Sequence, residues 1–296
     1  MKLIVELTNI NLIKKYLKID SVSYLMVGYR GLSLNSNALF NYEEIVKISD
    51  ALKNSSVGLI LNCERLFSDY ELANIDELIE KNFFENFNYV TYSDFGLKSY
   101  LENKGVNIKF IYKAHTYLTN YLDVNEYNKI NDYVFVSSEI SSEELIDLTK
   151  KVNKPVIVDI FGQSACFYSR RQLISRYFEY RGIDKDSNKT NYYVVEELRS
   201  DFLPIIENEV GTVILEPKFH VLAEEIEKLE NIEFGYIGLN KLNQKTCIQV
   251  VEAYTQLLSN HNVNNFYNLL NNMKLEYYKG AYNIKSVLLK GGDCNE

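Results

Sequence analysis

The sequence predicts an α/β fold, a (β/α)8 TIM-barrel-like arrangement with a β-rich insertion before the last strand. Three observations carry that expectation. Eight short apolar runs recur along the chain, several of them unbroken by polar residues, as parallel strands covered on both faces require. Segments of helical character separate the runs at regular spacing. No Gly-x-Gly-x-x-Gly opens a helix near the start, which leaves a doubly wound open sheet as the weaker alternative.

The expected strands are 3–7, 24–28, 57–61, 89–92, 108–112, 133–136, 156–160 and 234–239. The expected helices are 11–17, 42–53, 68–80, 96–103, 142–152 and 166–180. Two of these carry start signals, because Ser68 with Glu71 and Ser141 with Glu144 form Ser-x-x-Glu capping boxes. The repeat breaks after Tyr180. Residues 183–201 are polar, and 192–195, 203–206 and 212–215 read as short β segments with a turn at 207–211. We read about 183–219 as an insertion lying over the C-terminal mouth of the barrel, within a single domain spanning 1–296. Residues 245–260 and 263–272 read as closing helices, and the stretch beyond Gly280 as a loosely held extension.

The chain has 296 residues, is 46% hydrophobic and carries a formal charge of −8. An acidic surface argues against non-specific nucleic-acid binding, although a local basic patch is compatible with it. Tyrosine is abundant (24) and tryptophan absent, and the heavy use of Asn, Ile, Lys and Tyr points to genome base composition. The four cysteines, Cys63, Cys166, Cys247 and Cys294, include no Cys-x-x-Cys pair. No apolar leader opens the chain and no run is long enough to span a bilayer, so the expectation is a cytoplasmic protein with reduced thiols and no membrane partner.

Chemistry concentrates in residues 162–182, where Arg170, Arg171, Arg176 and Arg181 stand among aromatics. Arginine there can bind phosphate or carboxylate, and tyrosine can stack on a flat ligand. The competing reading is a solvated helix face with internal Glu179 pairs. Glu139 follows the strand 133–136 at the barrel's active end, where it can orient a ligand hydroxyl or act as acid or base; pairing with a neighbouring cation is the plain alternative. His115 follows the strand 108–112 and is the best-placed histidine for a general base. His220 and His261 read as structural residues in helical contexts. Cys166 is a weak nucleophile candidate without an assured base. No His-Glu-x-x-His, no Gly-x-Ser-x-Gly and no zinc-ligand spacing is present, so no metal site is expected.

The central stretch, Phe161-Gly162-Gln163-Ser164-Ala165-Cys166-Phe167-Tyr168-Ser169-Arg170-Arg171-Gln172, resembles a pattern running roughly His-Gly-x-x-Cys-x-x-Tyr-Ser-Gly-Arg-Cys. Further likenesses follow in order: Val27-Gly28, Phe40-Asn41-Tyr42-Glu43-Glu44, Leu61-Asn62, Ser93-Asp94-Phe95-Gly96-Leu97, His115-Thr116 with Asn120, 136–141, and 204–212 with its Pro-Ile and Gly-Thr ends. Together they identify the chain as similar to peptidase family U32, the collagenase-like peptidases of unknown catalytic type. The resemblance implies a barrel, and it implies ligand-binding roles for Tyr168, Ser169, Arg170, Arg171 and Asn120 beside the catalytic candidates Glu139 and His115.

The departures are as informative. The motif's two cysteines fall on Ala165 and Gln172, its histidine on Phe161, and no cysteine lies between Arg181 and Asp201. The arginine of the Arg-Glu-Leu-Ser element is Ser138, and Tyr236-Ile237-Gly238-Leu239-Asn240 replaces a Lys-Ile-Glu-Gly-Arg element. Several family members are similar in holding an iron–sulfur cluster, which takes about four thiolates. The resemblance therefore implies a short branch that binds no cofactor of its own. It further implies a part in 5-hydroxylation of the tRNA wobble uridine with prephenate as co-substrate. The cluster would then reside in a longer, cysteine-bearing partner forming a hetero-oligomer, with tRNA bound through the complex. The family's historical label implies a peptidase instead, and a non-catalytic scaffold barrel is the third expectation.

Overall fold

The computed structural model describes residues 1–114, 117–185, 192–197, 201–278 and 282. The β-branched and aliphatic runs become strands because their side chains fill both faces of a parallel sheet. In chain order these are β1 (Lys2–Glu6), β2 (Val22–Tyr29), the short β3 (Leu39–Phe40), β4 (Gly58–Cys63), β5 (Tyr89–Tyr92), β6 (Lys109–Tyr112), β7 (Tyr133–Val134) and β8 (Val156–Gly162). Between them run α1 (Ile13–Tyr16), α2 (Tyr42–Leu52), α3 (Asp69–Ala73), α4 (Asp76–Glu80), α5 (Phe95–Asn103), α6 (Tyr121–Ile130) and α7 (Ser142–Lys151). A second group follows: β9 (Ala165–Ser169), α8 (Leu173–Arg181), β10 (Tyr192–Val194), β11 (Leu203–Asn208), β12 (Gly211–Leu215) and β13 (Phe219–Val221). The chain then returns through β14 (Ile232–Ile237), α9 (Gln244–Asn260), α10 (Val263–Asn272) and β15 (Tyr277–Tyr278).

The fold is mixed α/β with a curled sheet. Strands β8, β14, β1, β2, β4, β5, β6 and β7 lie side by side in that order, and all these neighbours are parallel. The curl brings the far end back to the start. Phe135, just beyond β7, bridges Ile157 of β8 in parallel, and the Val136 N–H donates to the Ile157 carbonyl at 3.0 Å. The upper part of that β8 edge is taken by β13, antiparallel through His220 opposite Gly162. The inner face of the curl is filled by Ile4, Met26, Ile60, Ile111, Phe135, Ile157 and Phe234 with a ring of tyrosines around Tyr89. The outer face packs against the helices in a larger core. Burial of each such aliphatic side chain contributes about 1.5–3 kcal/mol.

Strands β10, β11, β12 and β9 form a separate antiparallel sheet of four. Gly211 opens β12 at φ 154°, where a side chain would collide with the Ser169 carbonyl.

Three expectations are corrected here. The helix expected over 166–180 begins only at Leu173. Residues 165–169 are instead a strand, because Phe167 and Tyr168 pair with Ile214 and Val213 across the antiparallel ladder. Helix α6 lies where none was expected, and its signal is the Asn120 cap. The expected helix 68–80 is two short ones, α3 and α4. Beyond Gly280 only Tyr282 is among the described residues; it is buried and donates to the Asp159 carbonyl at 3.0 Å. Among the described residues no helix is long and apolar enough to cross a membrane.

One buried hydroxyl ties α9 to the sheet: Tyr254 donates at 2.6 Å to the Ile160 carbonyl and lies 3.3 Å from that of Leu222. Tyr254→Phe leaves those buried carbonyls without that donor, and we predict a loss of about 1–3 kcal/mol in urea unfolding. An unchanged midpoint with an unchanged slope would contradict the assignment.

Candidate functional site

Alternation along the strands sets the chemistry of their C-terminal ends. Ile4, Ile60, Ile111 and Ile157 face into the curl, so the residues two further on face inward one layer higher. Those residues are Glu6, Asn62, Lys113 and Asp159, all at most 6% exposed. An apolar floor thus carries a polar, charged layer at the mouth.

Lys113 is the centre of that layer. Its Nζ lies 3.0 Å from Glu64 Oε2 and over the rings of Tyr236 (4.5 Å) and Phe135 (5.0 Å). Burial alone pushes a lysine down, but the charges of Glu64, Asp159 and Glu6 outweigh it, and Lys113 is held above the usual lysine value. Glu6 is shifted the other way from an ordinary carboxylate: burial raises it, although it accepts the amides of Asn37 (2.8 Å) and Leu239 (2.7 Å). A small cavity of about 20 Å³ opens beside Lys113, lined also by Asp159, Ser164, His220 and Asn240. Ser164 Oγ stands 3.2 Å from His220 Nδ1. His220 therefore sits on strand β13 at this cavity, not in a helical context.

A cleft of about 250 Å³ lies outside it, between the loops after β4–β6 and strand β9. Leu34, Phe167 and Val213 give it apolar walls, Glu64 and Arg65 polar ones, and Tyr117 and Tyr168 add phenol rings. Phe167 and Tyr117 stay 45% and 66% exposed, forming an aromatic rim. Arg65 is buried, donates to the carbonyls of Gly31 (2.8 Å) and Leu66 (3.1 Å), and lies over the Phe67 ring at 4.1 Å.

Arg65 also pairs with Glu71, which accepts Arg170 Nη2 at 2.8 Å. The same carboxylate completes the capping box with Ser68. Burial pushes Glu71 up, but the Ser68 hydroxyl and amide and the Arg65 charge prevail and hold it below the usual carboxylate range. Tyr168 adds a second tie, accepting the Leu66 N–H at 3.1 Å, and burial pushes its phenol up. Gly31 N–H to Glu209 (2.8 Å) and Asn208 Nδ2 to the Ser33 carbonyl (3.0 Å) fasten the far end of the four-stranded sheet.

Of the residues singled out in the sequence, Tyr168 lines the cleft and Arg170 braces it. Ser169 shapes the turn, accepting the Arg171 N–H at 3.1 Å, and Arg171 is exposed. Glu139 is exposed on the loop after β7 and lines neither cavity. Asn120 caps α6, accepting the Asp123 N–H at 3.0 Å. His115 lies outside the described residues. Sequence reasoning missed Glu6, Glu64, Arg65, Lys113 and Asp159. For Glu6, Lys113 and Asp159 the signal was present, a polar residue two places after a core isoleucine near the end of a run, as at Asn62; Glu64 and Arg65 lie in the loop beyond that pattern.

Cys63 is buried in β4, Cys247 is buried in α9 and Cys166 is exposed on β9. Burial pushes the Cys63 and Cys247 thiols up, away from the thiolate form. Among the described residues no group of three or more His, Cys, Asp or Glu is arranged to hold a metal ion. A slightly larger cavity, about 300 Å³, lies at the opposite end of the strands near Tyr24 and Asn88. Its lining is chiefly serine, asparagine and backbone, with no buried charge, so the C-terminal mouth is the better candidate.

Two variants test this geometry. Lys113→Met strands buried carboxylates, and we predict a loss of about 3–5 kcal/mol in chemical unfolding, partly recovered by adding Glu64→Gln. A single variant as stable as the parent would refute the buried pair. Because the folded-state pKa of Glu71 is depressed, its stabilisation is present above the unfolded carboxylate pKa and is lost as pH falls through the folded one. The stability gap between the parent and Glu71→Gln should therefore narrow as pH falls below the ordinary carboxylate range; a gap independent of pH would contradict the link.

Comparison with known proteins adds three findings. Residues 18–286 match peptidase family U32. The tRNA hydroxylation protein P2 of Bacillus subtilis (strain 168) is 20% identical over 241 residues, covering 79% of this chain and 78% of that protein. Among solved structures, the U32 peptidase Mk0906 aligns with a TM-score of 0.47 at 13% identity, over 80% of this chain and 93% of that one.

Proposed function

The chain belongs to peptidase family U32, and from that premise we propose that it serves tRNA hydroxylation as a subunit without a cluster of its own. The observation that carries the reading is the similarity to the tRNA hydroxylation protein P2 along most of both chains. The site supports it: a cleft with an aromatic rim and a buried lysine fits a small planar or carboxylate-bearing ligand held out of water. In this reading the curled sheet is a (β/α)8 derivative in one domain, with the four-stranded sheet inserted before the last strand of the curl.

Prephenate is the proposed co-substrate and wobble uridine the modified base, in the cytoplasm. The chain's own share is to bind and orient. Lys113 supplies fixed positive charge at the floor of the mouth, and Phe167, Tyr117 and Tyr168 supply surfaces for a ring. The iron–sulfur chemistry is assigned to a longer, cysteine-bearing partner. Ala165 and Gln172 stand at the motif's cysteine places, and Cys63, Cys166 and Cys247 stand on three different elements.

Deleting the gene and measuring 5-hydroxyuridine-derived nucleosides in tRNA by mass spectrometry tests the proposal. Loss of those nucleosides, restored by the cloned gene, is expected; unchanged levels would count against it. Anaerobically purified chain is expected to carry well under one cluster per polypeptide, and stoichiometric iron and sulfide with a cluster spectrum would overturn the division of labour.

A further inference from the structure

Residues 170–185 carry five cationic side chains and two acidic ones, in a chain whose net charge is −8. Their placement is fixed by packing. Ile174 is buried beneath α8, and Phe178 meets Tyr192 edge-on at 5.8 Å. The helix start is held by Glu207, which accepts the amides of Ile174 (2.6 Å) and Ser175 (3.1 Å) and pairs with Lys185 (2.8 Å). With that side anchored, Arg176, Tyr177, Tyr180 and Arg181 share the outward side, at the i, i+1, i+4 and i+5 positions of one helix. Tyr180 is 87% exposed and Tyr177 is 57% exposed. Glu179 pairs with Arg176 at 2.7 Å. Arg171 is exposed just before the helix.

Resting on the tRNA reading above, we propose that this outward side of α8, with Arg171, is the docking surface for a single-stranded RNA loop. Arginines neutralise successive phosphates, and tyrosines between them stack on bases without regard to sequence. Neither aliphatic residue of α8, Leu173 or Ile174, is exposed, so the helix presents charge and aromatic rings outward. The acidic remainder of the molecule repels RNA, which confines docking to this patch. The path also has an end point. Strand β9 runs from the cleft straight into Arg170, Arg171 and α8, so RNA lying along the helix brings an unstacked base to the exposed Phe167 ring at the cleft rim.

The test is fluorescence anisotropy of the purified full chain with a labelled anticodon stem-loop RNA across a salt series. The parent should bind with a steep salt dependence. Arg171→Ala combined with Arg181→Ala should flatten the log–log slope by about 1.4, at about 0.7 per single-strand phosphate. Tyr180→Ala should weaken binding about tenfold or more, and Lys109→Ala, at the opposite end of the strands, should change nothing. All these side chains are exposed, so folding is not at stake. RNA affinity unaltered by the substitutions, or absent in the parent, overturns the proposal. So does equal competition by heparin with Tyr180→Ala silent, which would mean general polyanion binding. If the same changes dissolve an oligomer in light scattering while RNA binding stays intact, the surface is a protein interface and the proposal fails. Binding lost through these variants while gene deletion leaves the nucleosides unchanged would sink the hydroxylation reading and keep the surface.

Discussion

The ammonium of Lys113 is the point on which the mouth of this molecule depends. Three carboxylates, Glu6, Glu64 and Asp159, surround it at the ends of different strands or just beyond them. Without that cation they would face each other out of water, and the cost of burying like charges would force protonation or opening of the curl. Replacing the whole cluster with apolar residues would give an ordinary apolar interior of comparable or greater stability. A charged layer kept above an apolar floor is therefore better explained by ligand chemistry than by folding alone.

The second dependency is the Glu71 carboxylate. It takes one guanidinium from the loop after β4 and one from the turn after β9, and it caps α3 as well. The four-stranded sheet is thereby fixed against the parallel sheet at the cleft's edge. The same turn launches α8, so the geometry of the cleft and the placement of the arginine–tyrosine face are set together. A charge pair this exposed on the Arg170 side contributes modestly to stability; its effect is on position.

Much of the framework was legible in the sequence. The eight strands of the curl, β1, β2, β4, β5, β6, β7, β8 and β14, lie on the eight apolar runs, because a strand buried on both faces must be apolar throughout and short. The capping boxes at Ser68 and Ser141 form as their spacing requires. Residues 165–169 misled because a five-residue run directly before a helical pattern is not separable from it by periodicity, and the partner strand β12, more than forty residues later, makes it β. The charged layer was hidden for a related reason. A polar residue at a strand end looks like the start of a loop until register shows which face it occupies. Glu139 is suggested by the strand end before it and Asn120 by resemblance, and their placement depends on loop and cap geometry that neither encodes.

The central claim is that the chain works through the mouth at the C-terminal ends of its strands. The most direct measurement is complementation of the deletion strain with variants at the two ends of the sheet, reading tRNA nucleosides. Phe167→Ala with Tyr117→Ala alters only the exposed rim, and the account predicts that it fails to restore the modified nucleosides. Lys109→Ala, on the far side, should restore them fully. Equal restoration by both would contradict the account.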